Sequence, residues 1–240
     1  MKMNKRVCLT VSITAVLSAV LLISVSYMIQ LMGVKRVAVD GIYPDYDLND
    51  LIEVSSIISE GEIIGSSKPF IVEPQGGGDA SVFVDYYFKV SNVLGGDIKP
   101  GDIIPVRTEG GKCGKISVEN YGDVGLKTSK KAVAFFRKHK MTGKYITSGV
   151  NEMYYYTISG GDAQGIYWIE DENDSVYKSF KDCEDGFNIC EKRNEIMSLY
   201  KKVQTEGPTL YEAKVDRLFN AYAEGEITES EYNARVAEID

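Results

Sequence analysis

The chain contains 240 residues, with 35 acidic and 27 basic side chains, so its formal net charge is −8. Nucleic acids and anionic lipid surfaces bind to basic patches, and this excess of carboxylates argues against both as partners. The length allows one domain with a hydrophobic core and a small additional unit.

The first predicted element is an apolar segment near the N-terminus. Residues 7–34 contain no charge and directly follow the basic residues Lys5 and Arg6. About 20 apolar residues are enough for a helix to span a bilayer, whereas the core of a signal peptide is usually about 7–15 residues long. The pattern therefore predicts a transmembrane helix and a single-pass membrane anchor in residues 1–36. A signal peptide cleaved after Ser26 is the alternative, and it would yield a secreted protein.

The charges on either side of the apolar segment predict its orientation. Lys2, Lys5, Arg6 and the α-amine precede it, whereas Lys35 and Arg36 follow it. Cytoplasmic flanks carry the excess of lysine and arginine, so the N-terminus is expected inside and about 200 residues outside. This places the protein at the cell membrane, with the bulk of the chain extracytoplasmic.

Residues 37–180 are predicted to form a β-domain. In the clearest strand, residues 81–90, apolar side chains alternate with polar ones such as Asp85 and Lys89. The side chains expected to face the core are Val82, Val84, Tyr86, Phe88 and Val90. Further strands are expected at residues 57–64, 103–107, 132–137, 145–147, 153–158 and 165–169. Glycine-rich turns separate these segments, which predicts a mainly antiparallel barrel or sandwich of five to seven strands.

The four cysteines indicate at most one disulfide and no metal site. Cys183 and Cys190 are seven positions apart and, outside the membrane, could close a small loop disulfide; free thiols are the alternative. Cys8 lies in the apolar segment and Cys113 in a glycine loop. The chain has no C-x-x-C pair and one histidine, His139, so no metal site is predicted.

No catalytic or cofactor-binding motif stands out elsewhere. Residues 109–115 are rich in glycine and lysine, but Glu109 occupies the first glycine position of a phosphate-binding loop and Ile116 follows the lysine. His139 has no serine or cysteine partner in a recognisable motif. We therefore expect a protein that is not an enzyme and needs no cofactor.

The C-terminal third changes to a helical period. Residues 188–203 predict a helix within a connecting segment, residues 181–207, and Gly207 with Pro208 ends it. The remaining residues, 208–240, predict a two-helix hairpin.

Local signals predict where the helices of this hairpin begin and end. Thr209 with Glu212, and Thr228 with Glu231, match the capping-box pattern, and Gly225 is expected to end the first helix. Apolar side chains recur at helical spacing at Tyr211, Val215, Leu218 and Tyr222, and again at Tyr232, Val236 and Ile239. Two helices of about a dozen residues are marginal alone, so this hairpin must pack on something. That support is either the β-domain of the same chain or another chain.

The tail also resembles a known family. Leu218 and the sequence EGEITESEY at residues 224–232 are similar to the core motif of the SHOCT domain, a short two-helix unit at the C-termini of many bacterial proteins. The resemblance covers about residues 209–240 and implies interaction or oligomerisation rather than catalysis. The residues predicted to form the interaction surface are Tyr211, Val215, Leu218, Tyr222, Ile227, Tyr232 and Val236.

Four segments of the β-region carry a second resemblance. They are residues 54–63, 87–97, 103–106 and 110–111, with the sequences VSSIISEGEI, YFKVSNVLGGD, IIPV and GG. In this order they resemble uncharacterised extracytoplasmic proteins of Gram-positive bacteria, and the layout is similar to the OB-like barrel of netrin and metalloproteinase-inhibitor modules. The resemblance implies an architecture and no catalytic residues.

Together these patterns predict a membrane-anchored, extracytoplasmic and non-enzymatic binding protein. Its partner would be another protein, or a second copy of the chain, bound through the C-terminal hairpin. The alternative is an extracytoplasmic hydrolase or metal-dependent enzyme whose site is dispersed over loops.

Overall fold

The computed structural model describes residues 20, 23–24, 35–39, 45–74, 80–120, 126, 128–145, 152–160, 164–169 and 189–239. These residues contain ten strands in two sheets and four helices, so the chain is mainly β with α, as predicted. The predicted membrane anchor lies almost entirely outside them. Within the described part of the chain, no helix is long and apolar enough to cross a membrane.

The strands, in chain order, are β1 (Lys35–Val39), β2 (Ile57–Ser66), β3 (Phe70–Pro74), β4 (Ser81–Gly95), β5 (Ile103–Glu109), β6 (Gly111–Cys113), β7 (Ile116–Asn120), β8 (Lys131–Tyr145), β9 (Glu152–Ile158) and β10 (Ile166–Ile169). The helices are α1 (Leu48–Val54), α2 (Ile189–Glu206), α3 (Tyr211–Glu224) and α4 (Glu229–Val236). The predicted strand at 132–137 is part of the longer β8, which runs on to Tyr145 where a separate strand was expected. Helix α1 lies in a segment for which the sequence pattern predicted no element.

The larger sheet has seven strands. Their order is β10-β8-β2-β4-β5-β9, and β3 pairs with both β4 and β8. Strand β8 also pairs with β9, so the pairings from β2 through β4, β5, β9 and β8 return to β2. These neighbours are antiparallel except β5 and β9, which pair in parallel at Val106 and Tyr156. A smaller sheet has the order β1-β7-β6.

One hydrophobic core lies on the inner face of the larger sheet. Its buried members are Ile57, Ile63, Phe88, Val90, Ile104, Val106, Leu126, Ala132, Ala134, Phe136, Ile158 and Ile166. Of the β4 side chains predicted to face inward, Val82, Phe88 and Val90 are buried, and Val84 and Tyr86 are half-buried. The predicted phase of this strand therefore agrees with the core around Phe88.

A buried ion pair lies on the opposite face of β4. Asp85 was expected on the polar face of this strand, but its carboxylate accepts hydrogen bonds from Arg107 Nε at 2.7 Å and Nη2 at 2.8 Å. The Arg107 guanidinium lies between the rings of Phe70 and Tyr155, at 4.9 and 4.4 Å from their centroids. The backbone of Asp85 is tied to Ser67, whose N–H donates to the Asp85 carbonyl at 2.7 Å. The charged pair therefore links β4 to β5, and the backbone hydrogen bonds of Asp85 link β4 to Ser67 in the segment before β3.

Three helices cover the outer face of β2, β8 and β10. Their shared core comprises Tyr46, Leu51, Ile52, Val54, Ile58, Leu94, Val133, Phe135, Tyr167, Ile196 and Ala213. Helix α2 approaches the sheet closely at Tyr200, because a Cβ on Gly95 would lie 2.6 Å from that ring. The Tyr200 hydroxyl donates to the Ser56 carbonyl at 2.8 Å, and Arg193 pairs with Glu60 on β2. Helix α2 is therefore part of the same packed unit as the sheet.

Candidate interaction surface

Helix α3 starts the C-terminal hairpin, and it is capped by a distant residue. Its N-cap is Leu210, which provides no side-chain hydrogen bond, so the capping box predicted between Thr209 and Glu212 is wrong. The carboxylate of Glu53 on α1 instead accepts from Thr209 N–H and Thr209 Oγ1, both at 2.7 Å, and from Leu210 N–H at 2.8 Å. An anion at a helix N-terminus satisfies free N–H groups and opposes the positive end of the dipole.

The environment of Glu53 favours the charge that this cap requires. Burial alone would raise the pKa of Glu53, but the hydrogen bonds from Leu210 and Thr209 and the charge of Arg217 outweigh it and lower the pKa. The carboxylate is therefore ionised at neutral pH, and it couples α1 to the start of α3.

Replacing this cap should loosen the hairpin. We expect Glu53→Ala to lower the free energy of unfolding by about 1 kcal/mol, the usual effect of losing an N-cap acceptor. Glu212→Ala is the matched control, because Glu212 is exposed and forms no capping box. Urea unfolding would measure both variants. If Glu212→Ala lowers the free energy of unfolding more than Glu53→Ala does, the cap of α3 is local and Glu53 is not its acceptor.

One face of α3 is fixed on the β-domain. Ala213 is buried, Asp216 lies 3.1 Å from Arg137 Nη1, and Glu224 lies 4.0 Å from Lys138 Nζ. Burial raises the pKa of Asp216, the charge of Arg137 opposes that shift, and the charge of Glu212 adds to it. These ion pairs hold α3 against the middle of strand β8.

The opposite face of the hairpin carries three aromatic rings in mutual contact. Tyr222 and Tyr232 are stacked with centroids 5.6 Å apart, and the Phe219 ring meets both at steep angles, 6.4 and 6.2 Å away. Phe219 is 45% exposed and Tyr222 37% exposed. We call Phe219, Tyr222 and Tyr232 the ring surface. Clustered aromatic side chains that stay in water are typical of surfaces that bind partners.

The predicted interaction residues are distributed over this hairpin. Two of them, Tyr211 and Tyr222, are exposed. The other five are half-buried: Val215, Leu218, Ile227, Tyr232 and Val236. Phe219 was not predicted, because it falls outside the spacing counted from Tyr211. Its position three residues before Tyr222 would have identified it, since residues three apart share a helix face.

Two clefts flank Glu53 where the helices meet. One, of about 260 Å³, is lined by Asn49, Ile52, Glu53, Leu199, Lys202, Val203, Glu206, Gly207 and Thr209. The other, of about 210 Å³, is lined by Glu53, Val54, Ser55, Ser56, Tyr200, Gln204, Ala213, Asp216, Arg217 and Asn220. Sites for drug-sized ligands usually enclose about 300–1,000 Å³, so both clefts are small.

The cysteine predictions lie mostly outside the described residues. Cys183 is outside them, and of Cys190 only the backbone is described, so the disulfide stays a prediction. Cys113 is a half-buried free thiol. Within the described ranges, no group of three or more histidine, cysteine, aspartate or glutamate side chains is placed to hold a metal ion.

His139 contacts the same tyrosine ring as the Arg107 guanidinium. Its ring stacks on Tyr155 at 5.2 Å, and Nε2 is 2.8 Å from Thr157 Oγ1. Burial lowers the pKa of His139 to about 4, and the nearby Arg137 charge lowers it in the same direction. The imidazole is therefore neutral at pH 7.

This lowered pKa predicts a loss of stability in acid. Between pH 6.5 and about 4, the unfolded chain binds a proton at His139 and the native chain does not. The free energy of unfolding should thus fall by about 2 kcal/mol across this window and level off below it, allowing for the partial exposure of the ring. His139→Gln has no proton to bind, so its stability relative to the parent should rise as the pH falls. If urea unfolding shows that the parent and His139→Gln lose stability equally as the pH falls, the lowered pKa of His139 is contradicted.

Comparisons with known proteins identified no relative of the chain. No family model matches the chain, and neither the curated proteins nor the solved structures gave a match.

Proposed function

We propose that β2, β4, β5, β9 and β8 form an OB-like barrel. Numbered within the barrel, these strands follow the order 1-2-3-5-4 and return to strand 1. Their third and fifth members are parallel, and the other neighbours are antiparallel. This order supports a five-stranded Greek-key barrel of the OB type, with the core around Phe88 as its filled interior.

We further propose that the chain is a membrane-anchored, extracytoplasmic binding protein without enzymatic activity, and that it binds a protein through its SHOCT-like hairpin. One observation carries this proposal. Helix α3 is fixed to the β-domain by one face, while Phe219 and Tyr222 of the ring surface, on its other face, are exposed to solvent. A rigid support lowers the entropic cost of presenting aromatic side chains to a partner.

The proposal is tested by crosslinking in intact membranes. The double variant Phe219→Ser/Tyr222→Ser should lose the crosslinked partner that the parent chain captures. The control is Ile103→Ser, which removes an apolar side chain that is even more exposed, at 54%, from the β-domain. Capture that survives in the ring-surface variant, or that is lost in the control alone, would overturn the proposal.

The membrane topology is tested separately. A cysteine introduced at Gly76 should react with an impermeant thiol reagent added to intact cells, since the proposed orientation places residue 76 outside. The unsubstituted chain measures the background from its own cysteines. Protection of the new cysteine until the cells are lysed would contradict the orientation.

A further inference from the structure

We propose that the ring surface binds a lysine- or arginine-rich segment of the partner protein. This inference rests on the proposed function and specifies the chemistry of that partner. Three observations support it: the rings, the carboxylates at the same end of the hairpin, and a lysine of the protein that already contacts both a ring and a carboxylate.

Two rings of the ring surface are accessible to solvent. Phe219 is 45% exposed and Tyr222 37% exposed, and the stacking of Tyr222 on Tyr232 orients the two phenol rings nearly in parallel. An ammonium or guanidinium group within about 6 Å of a ring centroid is attracted by the negative face of the ring. We therefore place the partner's cation against the solvent-accessible parts of Phe219 and Tyr222.

Carboxylates lie at the same end of the hairpin as the rings. Tyr222 is in the last turn of α3 and Tyr232 in the first turn of α4, so the connection between the helices joins the two tyrosines. That connection and the start of α4 contain Glu226 and Glu229, both exposed, and neither forms an ion pair with any residue that the structure describes. Glu231 is engaged in capping α4 through Thr228.

The charge of the tail selects a basic partner over a second copy. Residues 208–240 contain eight acidic and three basic side chains. Two such surfaces brought together would place like charges in one interface, which disfavours self-association through the ring surface. A basic segment would instead meet complementary charge, and lysine and arginine are the side chains that combine this charge with cation–π contact.

The protein shows this mode of binding within its own structure. The Lys138 ammonium is 4.3 Å from the centroid of the Tyr154 ring and 4.0 Å from Glu224 Oε1. Glu224 is the last residue of α3, directly before the connection that holds Glu226. An ammonium group placed between a tyrosine ring and a carboxylate is thus already accommodated at this end of the hairpin.

The test uses the full chain in detergent and a short labelled peptide of alternating arginine and serine. Its counterpart has citrulline in place of arginine and so keeps the shape without the charge. We expect the arginine peptide to bind at least about tenfold more tightly at low salt. Glu226→Gln/Glu229→Gln and Phe219→Ser/Tyr222→Ser should each weaken it about fivefold or more, the effect of losing an exposed ion pair or cation–π contact. Asp97→Asn/Glu238→Gln is the control for net charge.

Each outcome bears on the inference. Equal binding of the arginine and citrulline peptides would overturn it, and so would equal losses in the Glu226/Glu229 variant and its charge control. A fall in sedimented mass for the Phe219/Tyr222 variant would identify a second copy as the occupant and overturn it as well. If partner crosslinks depend on the rings but not on Glu226 and Glu229, the proposed function stands and this inference fails. Melting curves confirm that each variant is folded.

Discussion

Asp85→Ala should lower the free energy of unfolding by about 3–5 kcal/mol, because it removes the anion that is paired with a buried guanidinium. The Arg107 side chain is 1% exposed and that of Asp85 11% exposed, so water cannot replace the carboxylate without opening the structure. The loss is a large part of the stability of a domain, which is typically about 5–15 kcal/mol. Urea unfolding followed by far-ultraviolet circular dichroism would measure it.

A double-mutant cycle separates the pair from its surroundings. Arg107→Met keeps an unbranched apolar side chain between the rings of Phe70 and Tyr155. The double variant Asp85→Ala/Arg107→Met has no uncompensated charge, so it should be more stable than Asp85→Ala alone. Additive losses, or a change of under about 1 kcal/mol in Asp85→Ala, would show that the pair contributes little.

Gly61→Ala should lower the free energy of unfolding by about 3 kcal/mol, because β2 has no room for a side chain at this position. A Cβ on Gly61 would lie 2.2 Å from the Lys89 carbonyl oxygen and 2.5 Å from Cε1 of Phe88. The first of these atoms belongs to the backbone of β4, which pairs with β2, so the strands themselves must shift. The second belongs to one of the two buried phenylalanines of the inner core.

Gly65→Ala is the matched control on the same strand. A Cβ on Gly65 would meet no atom within 4 Å. This substitution should leave the free energy of unfolding within about 0.5 kcal/mol of the parent, or raise it slightly by restricting the unfolded chain. A loss in Gly65→Ala as large as that in Gly61→Ala would mean that β-propensity, and not the contact with β4, controls the effect.

The two capping boxes illustrate which features of this chain were predictable. Thr228 and Glu231 are three residues apart, and their reciprocal hydrogen bonds were read correctly from the sequence. The cap of α3 comes from Glu53, more than 150 positions away from Leu210, and it displaced an equally plausible local pattern. Local patterns predict a cap only where no distant side chain competes for the same N–H groups.

Asp85 shows the same limit in the β-domain. Its position on the polar face of β4 follows from the alternation of side chains, and that face was predicted correctly. Its burial depends on Arg107, which is directly opposite on β5, and on Phe70, which covers the guanidinium. The alternation of apolar and polar side chains shows on which face of a strand a residue lies. It does not show whether side chains from other segments bury that face.

The sequence by itself determined the class of the fold, the phase of β4 around Phe88, and the helical hairpin with its aromatic character. These features depend on side-chain periodicity and on residues a few positions apart. Only the tertiary structure decided that α3 packs on the β-domain through Ala213 and Asp216, leaving Phe219 and Tyr222 exposed. A helix can direct any of several faces towards its support, and contacts far apart in the chain select one of them.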